Sequence, residues 1–200
     1  MSTEPEFDQV TPRVAIWHRY DAQVKAEVSA TLLQTEQGAY LVDPFAPMPA
    51  DVSAMSAAAK IAGVILTNGN HARAANDFAA PILARAGAHS ELSLQQAQEI
   101  ASAALPPDLL ALPIEGAAAG EIALHHGADG GTLVLGDALI HMGSYGFTFL
   151  PAKYCADPRL MRKALRALLD YPFERILFAH GTPITTRARS RLEALLEGGR

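Results

Sequence analysis

A mixed α and β fold follows from three features of the sequence. Strand-like runs come first, joined by a tight turn at Glu36-Gln37-Gly38. Alanine-rich helical runs then alternate with short buried-type strands such as Ile61 to Leu66. Paired strands return around Gly127-Ala128-Asp129-Gly130-Gly131, and amphipathic helices follow them. That order fits two packed sheets with helices on the outer faces.

Residues up to about Val10 read as a loose terminus or a first edge strand, and Val14-Ala15-Ile16-Trp17 as a short strand. Glu27 to Thr35 alternates apolar and polar positions, and Ala39-Tyr40-Leu41-Val42 runs back from the turn, ending at Asp43-Pro44. Ala50 to Lys60 has the alanine content of a helix. Ala72 to Ala86 has helical composition, with Pro81 expected to kink or interrupt it. Leu92 to Leu105 reads as a helix stopped by Pro106-Pro107. Leu110 to Ile114, Glu121 to His125 and Thr132 to Leu135 read as strands, and Ala138 to His141 as a continuation of their sheet. Asp157-Pro158 is a helix start, with Asp as N-cap and Pro in the first turn. Leu160, Met161, Leu165, Leu168 and Leu169 form the apolar stripe of that helix. Ile176 to Ala179 is a buried strand, and Thr185 to Leu196 a final amphipathic helix.

The 200 residues suffice for one domain, spanning 1–200, and 50% hydrophobic content can fill its core. The net charge of −5 is spread along the chain, which gives no clustered basic face for nucleic acid. Arg159, Arg162, Lys163 and Arg166 read as a solvated helix face. Cys155 is the only cysteine, so a disulfide framework and a thiolate metal cluster are both excluded. No apolar run reaches the ~20 residues needed to span a bilayer. The polar, acidic start lacks a secretory pattern, so a soluble cytoplasmic protein is expected.

The chemistry-bearing stretch is Val64-Ile65-Leu66-Thr67-Asn68-Gly69-Asn70-His71-Ala72-Arg73, where a strand ends in a loop of alternating polar residues. Gly136-Asp137 and His180-Gly181-Thr182-Pro183 each follow a later strand. This set resembles the metallo-β-lactamase superfamily, whose loop reads Thr-His-x-His-x-Asp-His. The resemblance covers roughly Val28 to Ile184 and implies a four-layer αββα sandwich. In the family the loop and the later Asp and His hold zinc, which lowers the pKa of a bound water to ~7.

In this register Asn68 and Asn70 stand at the two leading histidines, Ala72 at the aspartate and Arg73 at the last histidine. One family branch carries Asn at the first place and works with one zinc. The third histidine place falls on Ala117, unless another alignment promotes His125 or His126. Those two are strand neighbours, so at most one faces any site. Asp137 and His180 match, and Asp43 matches the aspartate that supports the metal loop from behind. The candidate metal set is therefore His71, Asp137 and His180, for one divalent ion at most and no dinuclear zinc.

Two functions fit. The first is a divergent hydrolase of an ester, thioester, lactone or phosphoester. Asp137 would serve as ligand or base, and His180 as ligand or proton donor. Arg73 would bind an anionic group, and Asn68 and Asn70 would be amide donors lining the pocket. The second is a non-catalytic relative with an anion-binding or vestigial pocket. With no metal present, Arg73 is expected to replace its charge and pair with Asp137 or Asp43. The expected partner is a small, anionic molecule, with neither nucleic acid nor membrane. Lys153-Tyr154-Cys155 is expected in a surface loop.

Overall fold

The computed structural model describes residues 4–22, 25–89, 97–103 and 105–198. Its elements in chain order begin with β1 (Glu6–Thr11), β2 (Val14–Asp21), β3 (Ala26–Thr35) and β4 (Gly38–Val42). They continue with α1 (Ala50–Ala59), β5 (Ile61–Ile65), β6 (Ile82–Ala84), α2 (Ala86–His89) and β7 (Gln98–Glu99). The second half holds β8 (Leu109–Pro113), β9 (Ile122–His126), β10 (Thr132–Leu135), β11 (Leu139–Met142) and β12 (Gly146–Phe149). It closes with α3 (Pro158–Ala167), β13 (Arg175–Phe178) and α4 (Ala188–Leu196).

One sheet follows chain order from β1 to β7. Its first three pairings are antiparallel, and those from β4 to β7 are parallel. The other sheet has the order β13-β10-β9-β8, with β13 parallel to β10.

Strand periodicity explains the layering. In the first sheet Val14, Ile16, Leu33, Tyr40, Val42 and Ile65 pack against Ile122, Leu124, Val134 and Leu177 of the second sheet. Their neighbours Ala15, Trp17, Leu32, Leu41 and Val64 face the other way and are covered by Val52 and Met55 of α1. In the second sheet Ala123, Leu133, Leu135, Ile176 and Phe178 turn outward onto Met161, Leu165, Leu192 and Leu195 of α3 and α4. Both faces of each sheet are therefore buried, which is why its inner strands read as continuous apolar runs. Three apolar interfaces separate four layers, in the order helix, sheet, sheet, helix.

Four expectations change. Ala72 to Ala86 is not a helix, because its second half joins the sheet. Val64 N donates to Pro81 O and Leu66 N to Leu83 O, both at 2.9 Å. The ladder beside a buried strand outweighs alanine propensity, leaving only a short 3-10 turn at Ala75–Asp77. The stretch expected as the Leu92 to Leu105 helix lies partly outside the described residues. Its described part is β7 and a 3-10 turn at Ile100–Ser102. Ala138 to His141 leaves the second sheet and forms a separate hairpin of β11 with β12. In α3 the buried stripe contains Met161 and Leu165, whereas Leu160 is exposed.

The N-terminal segment is an edge strand, β1 against β2. Asp157 caps α3 as expected, accepting from Arg159 N and Leu160 N. Arg159, Arg162, Lys163 and Arg166 are exposed. No helix among the described residues is long and apolar enough to cross a membrane.

Candidate metal-binding site

Four strands deliver the site. Asp43 follows β4, the Thr67–Arg73 loop follows β5, Asp137 follows β10 and His180 follows β13. Backbone bonds fix the meeting point. Ile122 N donates to Thr67 O at 2.8 Å, tying the loop to the second sheet, and Ser29 N donates to Ala179 O at 2.9 Å beside His180.

His71 is the centre of the arrangement and is almost fully buried. Its Nδ1 lies 2.8 Å from Asp43 Oδ2, and its Nε2 lies 3.4 Å from Asp137 Oδ1. Asp43 is anchored by Thr67, accepting the backbone N–H at 2.8 Å and the hydroxyl at 2.5 Å. His180 Nε2 approaches the same Asp137 Oδ1 at 3.4 Å from the other side. Asp137 Oδ2 accepts from Asn68 Nδ2 at 3.1 Å. Asn68 also donates to Glu121 Oε2 at 2.7 Å, and its own Oδ1 accepts from Asn70 N at 2.9 Å. Glu121 Oε1 accepts from Ala138 N at 3.0 Å.

The Gly136-Asp137 pair has a steric cause. A Cβ on Gly136 would lie 2.6 Å from Thr67 Oγ1, 2.7 Å from Glu121 Oε1 and 3.0 Å from Asn68 Nδ2. Only glycine lets the chain pass this close to the loop. Gly181 acts similarly after His180, with φ of +96° and a Cβ position 2.1 Å from His141 O.

Charge separates the two histidines. Burial, the largest influence, would lower the His71 pKa, but the charge of Asp43 and the bonds to Asp137 and Asp43 together outweigh it, and the ring is held up at about 9. His180 is pushed down to about 4 by burial and by repulsion from His71 and Arg73, against the pull of Asp137. Burial would raise Asp137, yet bonds from His71 and Asn68 and the nearby histidine charges hold it well below the usual carboxylate range. Asp43 is lowered as well, chiefly because His71 overcomes its burial. Glu121 is raised to about 8 by burial and the neighbouring Asp137 charge.

These donors fit one divalent ion. Two donors each ~2.1 Å from a zinc-sized ion at a tetrahedral angle lie about 3.4 Å apart. Both the His71 Nε2–Asp137 Oδ1 and the His180 Nε2–Asp137 Oδ1 separations are 3.4 Å. The ligating atoms of the three residues all lie within 4.8 Å of one another, the one such group among the described residues. The Asp43–His71 contact is the carboxylate–histidine arrangement that orients metal-binding imidazoles. The remaining loop positions, Asn68, Asn70, Ala72 and Arg73, offer two amides, a methyl and a guanidinium.

His71, Asp137 and His180 thus come together as the expected trio, with Asp43 behind His71. Asn68 is fully buried and orients Asp137, and Asn70 is exposed on the rim. Arg73 departs from the expected carboxylate pairing. Its Nη1 donates to the main-chain oxygens of Ser29 at 2.7 Å and Asp43 at 2.9 Å. Its left-handed backbone, with φ of 36°, turns the guanidinium toward those carbonyls.

His125 and His126 lie at the far end of β9, on Pro172 O and Gln34 O, so neither replaces the missing third histidine. Ala117 is buried in the core beside α3. Glu121 was not foreseen as a site residue. The available signal is a lone acidic residue opening an apolar run, Glu121-Ile122-Ala123-Leu124, since buried carboxylates require partners.

Two clefts meet over the trio. One of about 520 Å³ is lined by Arg19, Phe45, Arg73 and His71. The other, of about 650 Å³, runs under the β11–β12 hairpin and the loop after it, and both reach Asn70, Asp137 and His180. Lys153 and Tyr154 line the larger cleft.

No protein-family model and no curated protein matches the sequence. Solved structures do match. The DIM-1 metallo-β-lactamase exposed to ceftazidime superposes with a TM-score of 0.73 at 10% identity, over 98% of this chain and 97% of that one. A metallo-β-lactamase from Erythrobacter litoralis, with β-mercaptoethanol in its active site, gives 0.71 at 16% over 99% and 98%. One from Pontibacter korlensis gives 0.73 at 12% over 97% and 99%. Near-complete coverage in both directions, together with the helix–sheet–sheet–helix layering, shows that this chain has the metallo-β-lactamase fold.

Proposed function

We propose that the protein is a hydrolase of small, anionic ester-type substrates, working with one divalent ion held by His71, Asp137 and His180. The observation that carries this reading is the pair of 3.4 Å separations converging on Asp137 Oδ1, with Asp43 holding the back of His71. A bound ion of this kind lowers the pKa of a coordinated water to ~7 and polarises a carbonyl or phosphoryl oxygen. The chain supplies the rest. Asp43 keeps His71 Nε2 pointed inward, and Asn68 holds Asp137 by its other oxygen. Arg73 places a fixed positive charge in the smaller cleft, and exposed Asn70 offers an amide at the junction of the two clefts. Hydrolysis of an ester breaks the acyl–oxygen bond, with the water oxygen ending on the acyl group and a proton on the leaving alkoxide.

One observation favours a second reading. Protonated His71 sits between Asp43 and Asp137 and offsets one of their two negative charges without a metal. That arrangement suits a non-catalytic pocket. Elemental mass spectrometry of protein purified without chelator or affinity-column metal separates the two. About one equivalent of a divalent ion, lost in His180→Ala, is expected for the hydrolase. A folded protein free of metal at that stage, and unable to take up added zinc, overturns it.

A further inference from the structure

The larger cleft carries information about the substrate that the trio does not. The most exposed large aromatic side chains of the described residues gather at its mouth. Tyr145 is 72% exposed and Tyr154 60% exposed, and both line it. Tyr20, at 51%, lies in the groove alongside, which shares Tyr145, Met142 and Lys25. Exposed apolar surface gathered at one opening marks a ligand or partner surface, whereas scattered single residues mark nothing. Below the tyrosines the wall is apolar, with Ile140, Met142 and Leu150.

The charge at this mouth is one-sided. Lys25 and Lys153 line the cleft, and Asp137 on its floor is the one acidic residue among its described lining. Asp137 is already committed to His71, His180 and Asn68. Neither lysine forms an ion pair among the described residues, and the Lys153 ammonium rests 4.6 Å from the Tyr154 ring centre. Two ammonium groups without a carboxylate partner among the described residues, above an apolar trough with tyrosines at the rim, match a ligand having an apolar arm and an anionic group. A volume of about 650 Å³ holds a ligand of several carbons.

We infer that the substrate is an amphipathic acyl ester whose apolar arm lies against Tyr145, Met142 and Leu150, with an anionic group held by Lys25 and Lys153. The bond to be cleaved would then lie over Asp137 and His180. The cleavage rests on the hydrolase reading above, whereas binding of the amphipathic anion does not. The test therefore reads binding alone.

Isothermal titration of the whole protein with decanoate, as isolated and again after chelator treatment, measures the affinity. Acetate and decyltrimethylammonium serve as the short and the cationic controls. Decanoate should bind in both preparations, and the two controls should not. The Lys25→Gln/Lys153→Gln and Tyr145→Ser/Tyr154→Ser double variants should each weaken decanoate at least about fivefold, since each removes surface contacts worth ~1 kcal/mol. All four side chains are exposed, so the variants keep the core intact. Binding of the cation as tightly as the anion overturns the inference. So does decanoate affinity unchanged in the lysine pair or the tyrosine pair, or absence of decanoate binding. Loss of decanoate binding only on chelation would place the carboxylate on the metal and overturn the lysine assignment, while leaving the hydrolase reading standing.

Discussion

Replacing Gly136 by alanine tests the central packing argument. The new methyl would enter between Thr67, Glu121 and Asn68, at 2.6, 2.7 and 3.0 Å from their polar atoms. Ordinary contact begins at 3.4 Å, so Thr67 Oγ1 would have to retreat from 2.6 to 3.4 Å. That hydroxyl is bonded to Asp43 at 2.5 Å, and Glu121 Oε1 to Ala138 N at 3.0 Å, so retreat strains both. The Gly136 backbone is not left-handed, which leaves the clash as the whole cause. Overpacking costs ~1–3 kcal/mol, and weakening one buried hydrogen bond adds ~1 kcal/mol, for a total of about 2–4 kcal/mol. For a chain of this size the melting temperature should fall by roughly 5–15 °C. Gly127→Ala is the matched control. Its nearest neighbours would be 3.8 Å away and its φ is ordinary, so its effect should stay within ~0.5 kcal/mol. Urea denaturation followed by circular dichroism measures both variants. Equal stabilities for the two would refute the claim that Gly136 is required by close approach.

Two further outcomes follow from local geometry. Asp157 Oδ1 accepts from Arg159 N at 2.9 Å and Leu160 N at 3.1 Å, so Asp157→Ala should cost ~1 kcal/mol and Asp157→Asn much less. Equal melting temperatures for the two variants would show that the cap is inert. His18 Nδ1 lies 2.6 Å from Glu27 and Nε2 3.0 Å from Asp8, and Glu6 is its cross-strand partner on β1. Burial lowers its pKa, but the two carboxylates outweigh this and raise it above 6.5. A raised histidine stabilises the protein fully below about pH 6.5, and the contribution fades as pH rises through the folded-state value. His18→Gln should therefore lower stability at pH 5.5 more than at pH 8.5, read by thermal melts at both. An identical loss at both pH values would exclude a charge-dependent role.

Much of the scaffold was legible because local physics agrees with the final structure. Asp157-Pro158 caps a helix wherever the chain goes, and Ala39 to Val42 must return from the turn at Gly38. The continuous apolar runs from Ile61 to Leu66 and from Ile176 to Ala179 report strands buried on both faces. Ala72 to Ala86 misled for the opposite reason. Its alanines favour a helix locally, but the open edge of β5 offers Ile82–Ala84 a ladder.

The site divides along the same line. Asp43, Asp137 and His180 were readable because each directly follows a strand, where chain order dictates the place. His71 was readable as a candidate, but its rank over Asn68 and Asn70 was not. Loop residues gain their roles from what they meet, and His71 meets Asp43 and Asp137 while Asn68 turns to Glu121. Glu121 and the partner that Arg73 takes belong to the tertiary structure. A guanidinium will take a carboxylate or a carbonyl according to which lies within reach, and here the carbonyls of Ser29 and Asp43 do. By itself the sequence determined the mixed α and β order, the strand ends that carry the site and the absence of a thiolate cluster, because these depend on periodicity and composition, while the four layers were what the family resemblance implied. Which imidazole faces which carboxylate was decided only when four strand ends met, because those contacts join residues far apart in the chain, 28 positions from Asp43 to His71 and 66 from His71 to Asp137.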